Sequence, residues 1–297
     1  GTAWIERLMP PVVTGAVVAV IGLNLASIPV KNMAASGFDS WMQAITFVSV
    51  ALVAVFTCGM VQRLLILVGL AIATLIYLVL TNGMGLGKPM DFSGIARAAW
   101  LGWPQFQAPV FDSAAILLIA PVALILVAEN LGHIKAVSAM TGRDLDPYIG
   151  RAFTADGLAT MVSGSLGGTG VTTYAENIGV MAATRIYSTA VFIVAAIVAL
   201  VLGFSPKFGA LIQAIPLPVM GGVSIVVFGL IAIAGARIWV DNRVDFSDPA
   251  NLLIAALTLI LGTGDFTLKF GSFALGGIGT ATFGAVLLAA LLLRRKT

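Results

Sequence analysis

"SGSLGGTGVTTYAENIGVMAATR", residues 163–185, decides how this chain folds, because glycines and a carboxylate interrupt an otherwise apolar sequence. Gly164, Gly167, Gly168 and Gly170 disfavour a continuous helix up to Val171. The β-branched run Val171-Thr172-Thr173 then favours extended backbone, and a short helix can begin near Tyr174 or Ala175. Such a break leaves backbone N–H groups without intrahelical partners, which at membrane depth is tolerated only where they line a cavity. A helix N-terminus there offers donors and a positive dipole end to carbonyl oxygens. An ordinary Gly-rich surface loop is the plainer alternative, but a solvated loop rarely runs into an apolar helix through a lone acid such as Glu176.

The surroundings of this stretch are a membrane protein. Of the 297 residues 59% are hydrophobic and 10% charged, and the mean hydropathy is +1.05, far from the roughly 25% charged residues of soluble domains. The net charge of +3 and pI near 9.2 suggest nucleic acid only until the basic residues are located, since they lie between apolar runs. Cys58 is alone, so no intrachain disulfide is expected. The chain opens on Gly1-Thr2-Ala3-Trp4, and no signal peptide is read there.

A hydrocarbon core of about 30 Å needs roughly 20 apolar residues per helix. Ten crossings are expected, at about 10–30, 41–58, 64–80, 113–140, 151–166, 171–184 (broken), 187–204, 216–236, 249–263 and 273–293. With Arg7 cytoplasmic, alternation places Arg63, Lys135, Arg143, Arg151, Arg185, Arg237, Arg243, Arg294, Arg295 and Lys296 on the same side, eleven of the sixteen basic residues. Lys31, Lys88, Arg97, Lys207 and Lys269 face outward, so both ends are expected inside. Residues 11–23 align without gaps to residues 218–230 with six identities in thirteen. The first copy runs inside to outside and the second the reverse, as in the inverted repeats of secondary transporters.

Glutamate occurs only as Glu6, Glu129 and Glu176, and histidine only as His133. An acid within an apolar span is expensive and by default a functional candidate facing a cavity. Glu129 and His133 stand four residues apart in "AENLGH", on one helix face; a structural polar pair between helices is the competing reading. Two acceptors beside a set of backbone donors suit a small planar molecule with alternating N–H and C=O groups, such as a nucleobase. An intramembrane enzyme finds no support, because HExxH, GxSxG and phosphate-loop motifs are all missing from the sequence.

"AENIGVMAATR" resembles the signature of the nucleobase-ascorbate transporters, the nucleobase:cation symporter-2 family: Gln, Glu or Pro, then Asn, any residue, Gly, four residues, Thr and a basic residue. Glu176, Asn177, Gly179, Thr184 and Arg185 fill every fixed position. The likeness continues through "VAENLGH", "IPLPVMGGVSIVVFGLIAIAGARIW" and "GGIGTATFGAVLLA" and is strongest toward bacterial uracil permeases. It implies an all-α, polytopic inverted-repeat transporter of fourteen helices divided into core and gate domains. It also implies proton-coupled uptake with no cofactor beyond the proton, an inner-membrane location, and a homodimer. Glu129 and Glu176 would face the base N–H groups, His133 would support Glu129 in the proton-linked network, and the Ala175 amide, beside Tyr174, would donate to a base carbonyl. Asn177 and Gly179 would shape the broken helix, with Thr184 and Arg185 near its cytoplasmic end, where Arg185 is equally read as a topological anchor.

Glu176, where purine and xanthine relatives typically carry Gln, favours uracil or a similar pyrimidine, with a purine or xanthine permease as the alternative. Measured against the family, the chain matches helices five to fourteen. Residues 1–112 are then the first three gate helices with an outer loop, 113–205 half of the core with the substrate site, and 206–297 the last three gate helices. A chain of this extent is expected to be inactive in transport on its own.

Overall fold

Pro10 is extended and Pro11 occupies the first turn of a helix, where its missing N–H goes unnoticed. The fold that follows was obtained as a computed structural model that describes residues 9–174, 177–178, 181, 185–270 and 273–293. Arg7, Ala175, Glu176, Gly179, Thr184, Arg294, Arg295 and Lys296 lie outside the described residues.

The elements in order are α1 (Pro11–Leu25), α2 (Ser27–Asn32), α3 (Gly37–Phe56), α4 (Gly59–Arg63), α5 (Leu65–Leu78), which continues into a π turn (Val79–Gly83), α6 (Ser93–Arg97), α7 (Ser113–Thr141) and α8 (Ile149–Ser165). They continue with α9 (Thr189–Gly203), α10 (Pro206–Gln213), α11 (Leu217–Asp241), α12 (Pro249–Thr263), the strands β1 (Leu268–Phe270) and β2 (Phe273–Leu275), and α13 (Gly277–Leu292). Among the described residues, Pro11–Lys31, Gly37–Phe56, Leu65–Gly83 and Leu217–Asp241 are each long and apolar enough to cross a bilayer. The 29 residues of α7 are ample for the same span. The chain is a polytopic helical membrane protein.

The two copies of the sequence repeat, α1 and α11, pack against each other antiparallel. Trp239 Nε1 donates to Val12 O at 3.1 Å. A Cβ on Gly235 would lie 2.4 Å from Ala19 N, and one on Gly22 would lie 2.3 Å from Phe228 O. Position advances along one helix as it recedes along the other, which is the opposite running sense expected of the repeat. Glycine is required at this crossing because backbone meets backbone.

Around this pair sit two apolar clusters. Met9, Val12, Val13 and Val17 pack with Ile254, Ala255, Ala285 and Ala289, joining α1 to α12 and α13. Met42, Ala73, Tyr77 and Val219 join α3, α5 and α11. Asn24 Nδ2 donates to Gly262 O at 2.8 Å, fastening α1 to the end of α12.

Two expected crossings change at their edges. The span expected at 273–293 begins only at Gly277, because residues 273–275 pair antiparallel with 268–270, Leu268 opposite Leu275. Asp265 Oδ1 accepts the Gly277 N–H at 2.9 Å and sets the helix start. The span expected at 187–204 ends at Gly203, and the chain turns by 81° into α10, whose first residue, Pro206, cannot continue the preceding hydrogen-bond ladder. The segment before α7 crosses this bend, where Gly102 N donates to Phe204 O at 2.9 Å and Lys207 N to Ala99 O at 3.0 Å, and then reaches the end of α8, where Gln107 N donates to Leu166 O at 3.4 Å.

Candidate functional site

Three elements meet at the site: α7, α8 and the chain that leaves α8. Asp112 starts α7 by accepting the Ala115 N–H at 2.7 Å, and Gly142 ends it in the left-handed region, φ 66°. Helix α8 stops at Ser165, and Gly167, φ 84°, turns the chain out of it. Residues 166–174 are not helical, whereas Asn177 and Ile178 are. The glycine run therefore breaks the helix where the sequence places the break, and Val171-Thr172-Thr173 lies in the unwound part.

Asn130, one residue after Glu129, is the hinge of the polar chemistry. It is only 4% exposed. Its amide Nδ2 donates to Asp156 Oδ2 on α8 at 2.8 Å, which leaves Oδ1 to accept from the hydroxyls of Thr173 and, at 3.4 Å, Thr172. Thr173 commits its single proton to Asn130, so its 2.7 Å contact with His133 Nδ1 is made by an N–H on Nδ1. That selects the Nδ1–H form of the imidazole. Nε2 lies 3.9 Å from Glu129 Oε1, within charge-pairing range and beyond hydrogen-bond length. A chain of polar groups thus runs Asp156, Asn130, Thr173, His133, Glu129, from α8 through the unwound segment onto α7.

The expected pairing of Glu129 with His133 is present, with the side chains 40% and 16% exposed respectively. Tyr174 is exposed and its carbonyl accepts the Asn177 N–H at 3.2 Å. Arg185 is exposed with φ 55°, and its N–H donates to Met181 O at 2.8 Å. Sequence reasoning passed over Asn130, Asp156, Thr172 and Thr173. Asp156 lies inside the expected crossing at 151–166 and meets the same criterion that singled out the glutamates; Asn130 stands within the quoted "AENLGH".

A groove of about 760 Å³ adjoins the network, bounded by Ala115, Ile119, Ala123 and Leu126 of α7, Thr160 of α8 and Gly170–Thr172 of the unwound segment. Its size falls within the roughly 300–1,000 Å³ of small-molecule sites. Leu126, Asn130 and His133 recur at intervals of four and three, so the groove wall and the network share one face of α7.

Among the described residues no cluster of His, Cys, Asp and Glu could hold a metal ion. The arrangement offers proton exchange and hydrogen bonding to a polar ligand. A family model described as the Permease family matches residues 1–270. This chain belongs to the Permease family. Among relatives, it is 68% identical to the "Putative pyrimidine permease RutG" of Escherichia coli K12 over 295 residues, 99% of this chain and 67% of that protein. It is 42% identical over 305 residues to the uracil permease of Bacillus caldolyticus, covering 97% of this chain and 68% of the relative. Against the uracil permease of Paenibacillus larvae the identity is 40% over 298 residues, with 97% and 70% covered. The chain spans about two thirds of the length of these permeases. Membership of the Permease family accords with the apolar helical bundle.

Proposed function

We propose that this permease carries a nucleobase across the inner membrane, with uracil or a similar pyrimidine as substrate and a proton as the coupling ion. The observation that carries the reading is the junction of Glu129 and His133 with the unwound segment that leads into Glu176. Carboxylates accept from the N–H groups of the base, backbone N–H groups in the break donate to its carbonyls, and His133 exchanges a proton with Glu129 during the cycle. The names of the uracil permease relatives support the choice of pyrimidine, as does glutamate in place of glutamine at position 176. Gate and core would divide at residues 112/113 and 205/206, both ends would be cytoplasmic, and the full assembly would be a homodimer. The reading excludes enzymatic turnover: the base crosses unchanged. Uptake of radiolabelled uracil by cells expressing the protein from its complete reading frame, competed with unlabelled thymine, xanthine and adenine, tests it. Competition by xanthine stronger than by uracil itself would replace the pyrimidine with a purine.

A further inference from the structure

Most hydroxyls on the helices of this protein fold back onto their own helix. Thr46, Thr74 and Thr258 donate to the carbonyls of Met42, Leu70 and Ile254, four residues earlier. On α8 itself, Thr154 and Ser165 do the same with Gly150 and Met161. Thr160 and Ser163 do not. Thr160 Oγ1 donates to Val171 O at 2.6 Å and accepts from Val171 N at 3.3 Å, so one hydroxyl satisfies both main-chain groups of one unwound residue. Ser163 Oγ donates to Thr169 O at 2.6 Å, and Ser163 O accepts the Gly168 N–H at 2.8 Å.

Asp156, Thr160 and Ser163 are spaced four and three residues apart and share one face of α8. Their partners run the other way along the chain: Ser163 takes residue 169, Thr160 takes 171, and Asp156 reaches 173 through Asn130. The positions on the unwound segment are two residues apart, the spacing of extended backbone, and the helix positions one turn apart. The unwound segment is therefore held rung by rung, in a fixed register, against a helix.

We infer that Thr160 and Ser163 are positioning residues for the substrate site, setting the register at which the extended segment enters the signature motif. The inference rests on the nucleobase reading. Losing the Thr160 rung lets residues 169–173 slide or rotate, which disturbs the main-chain donors and, through Thr173, the His133 contact. Neither residue needs to touch the substrate.

The test uses the protein from its complete reading frame, purified in nanodiscs, with uracil as the probe. Thr160→Val keeps the shape and removes the hydroxyl; Thr160→Ser keeps the hydroxyl. We expect Thr160→Val to accelerate hydrogen exchange at 168–173 and to weaken uracil binding about tenfold, the loss of roughly one hydrogen bond's worth of order, while Thr160→Ser restores affinity to within about threefold of the unsubstituted protein. Ser163→Ala is expected to act in the same direction. Faster exchange with unaltered affinity would overturn the inference, since the rungs would then serve the fold alone; so would a Thr160→Ser variant as impaired as Thr160→Val. If the unsubstituted protein binds no nucleobase, the functional reading fails together with this inference, and that result appears before any variant is made.

Discussion

Replacing Asn130 with leucine removes the hinge of the polar chain while keeping the same number of side-chain heavy atoms in the same branched arrangement. Asn130 is buried, donates to a carboxylate, Asp156, and accepts from two hydroxyls. The hydrogen bond to the charged partner contributes about 1.5–3 kcal/mol and that to Thr173 about 0.5–1.5 kcal/mol. Counting the long Thr172 contact as negligible, Asn130→Leu should lower stability by about 2–4.5 kcal/mol. The second consequence is chemical. With Asn130 Oδ1 gone, the Thr173 hydroxyl is released to donate to His133 Nδ1, and the imidazole proton shifts to Nε2, toward Glu129. Because the chain holds a single histidine, ¹⁵N-histidine labelling reports this one ring without assignment. The unsubstituted protein should show the Nδ1–H tautomer, and Asn130→Leu a mixture or the Nε2–H form. An Nε2–H tautomer in the unsubstituted protein, or one that ignores Asn130→Leu, would refute the hydrogen-bond chain.

Other outcomes follow from the same geometry. Gly22→Ala places a Cβ 2.3 Å from the Phe228 carbonyl and should destabilise the α1–α11 crossing by about 1–3 kcal/mol. Gly229→Ala, at the matching repeat position with open space around it, should be neutral or gain up to about 1 kcal/mol; thermal unfolding in detergent that ranks the two the other way contradicts the packing. Glu129→Gln should abolish pH-driven accumulation of uracil and weaken its binding, because an amide carries no exchangeable charge and replaces one acceptor with a donor; accumulation that persists in transport assays counts against the role. At the start of α6, the backbone N–H of Ser93 first and its hydroxyl second hold the Asp91 carboxyl below the usual carboxylate range. The stabilisation is thus present above the ordinary carboxylate value and lost as pH falls through the lowered one. Ser93→Ala should move the Asp91 titration upward in ¹³C NMR, and an unmoved curve would rule out the hydroxyl's part.

The bundle was legible in the sequence because hydrocarbon thickness imposes long apolar runs, and the helix break because glycine and β-branched residues both oppose helix there. The antiparallel strands 268–270 and 273–275 were not: "LKFGSFAL" is apolar, and a short strand before an apolar helix has no periodicity that separates it from the helix. The sharp turn into α10 was equally hidden, since "FSPKFGALIQ" reads as a connection. At the site, the spacing of Glu129 and His133 revealed their pairing, and Asp156 was open to the same reasoning. Asn130, Thr160 and Ser163 carry no such mark, because amides and hydroxyls within apolar helices commonly bond their own backbone. Only the fold shows that these three reach across to another segment.

Equilibrium binding of radiolabelled uracil to the purified permease, with Glu129→Gln and Glu176→Gln beside the unsubstituted protein, addresses the nucleobase site most directly. Saturable binding that each substitution weakens by about tenfold or more is the expected result. No saturable binding, or binding indifferent to both substitutions, would contradict it.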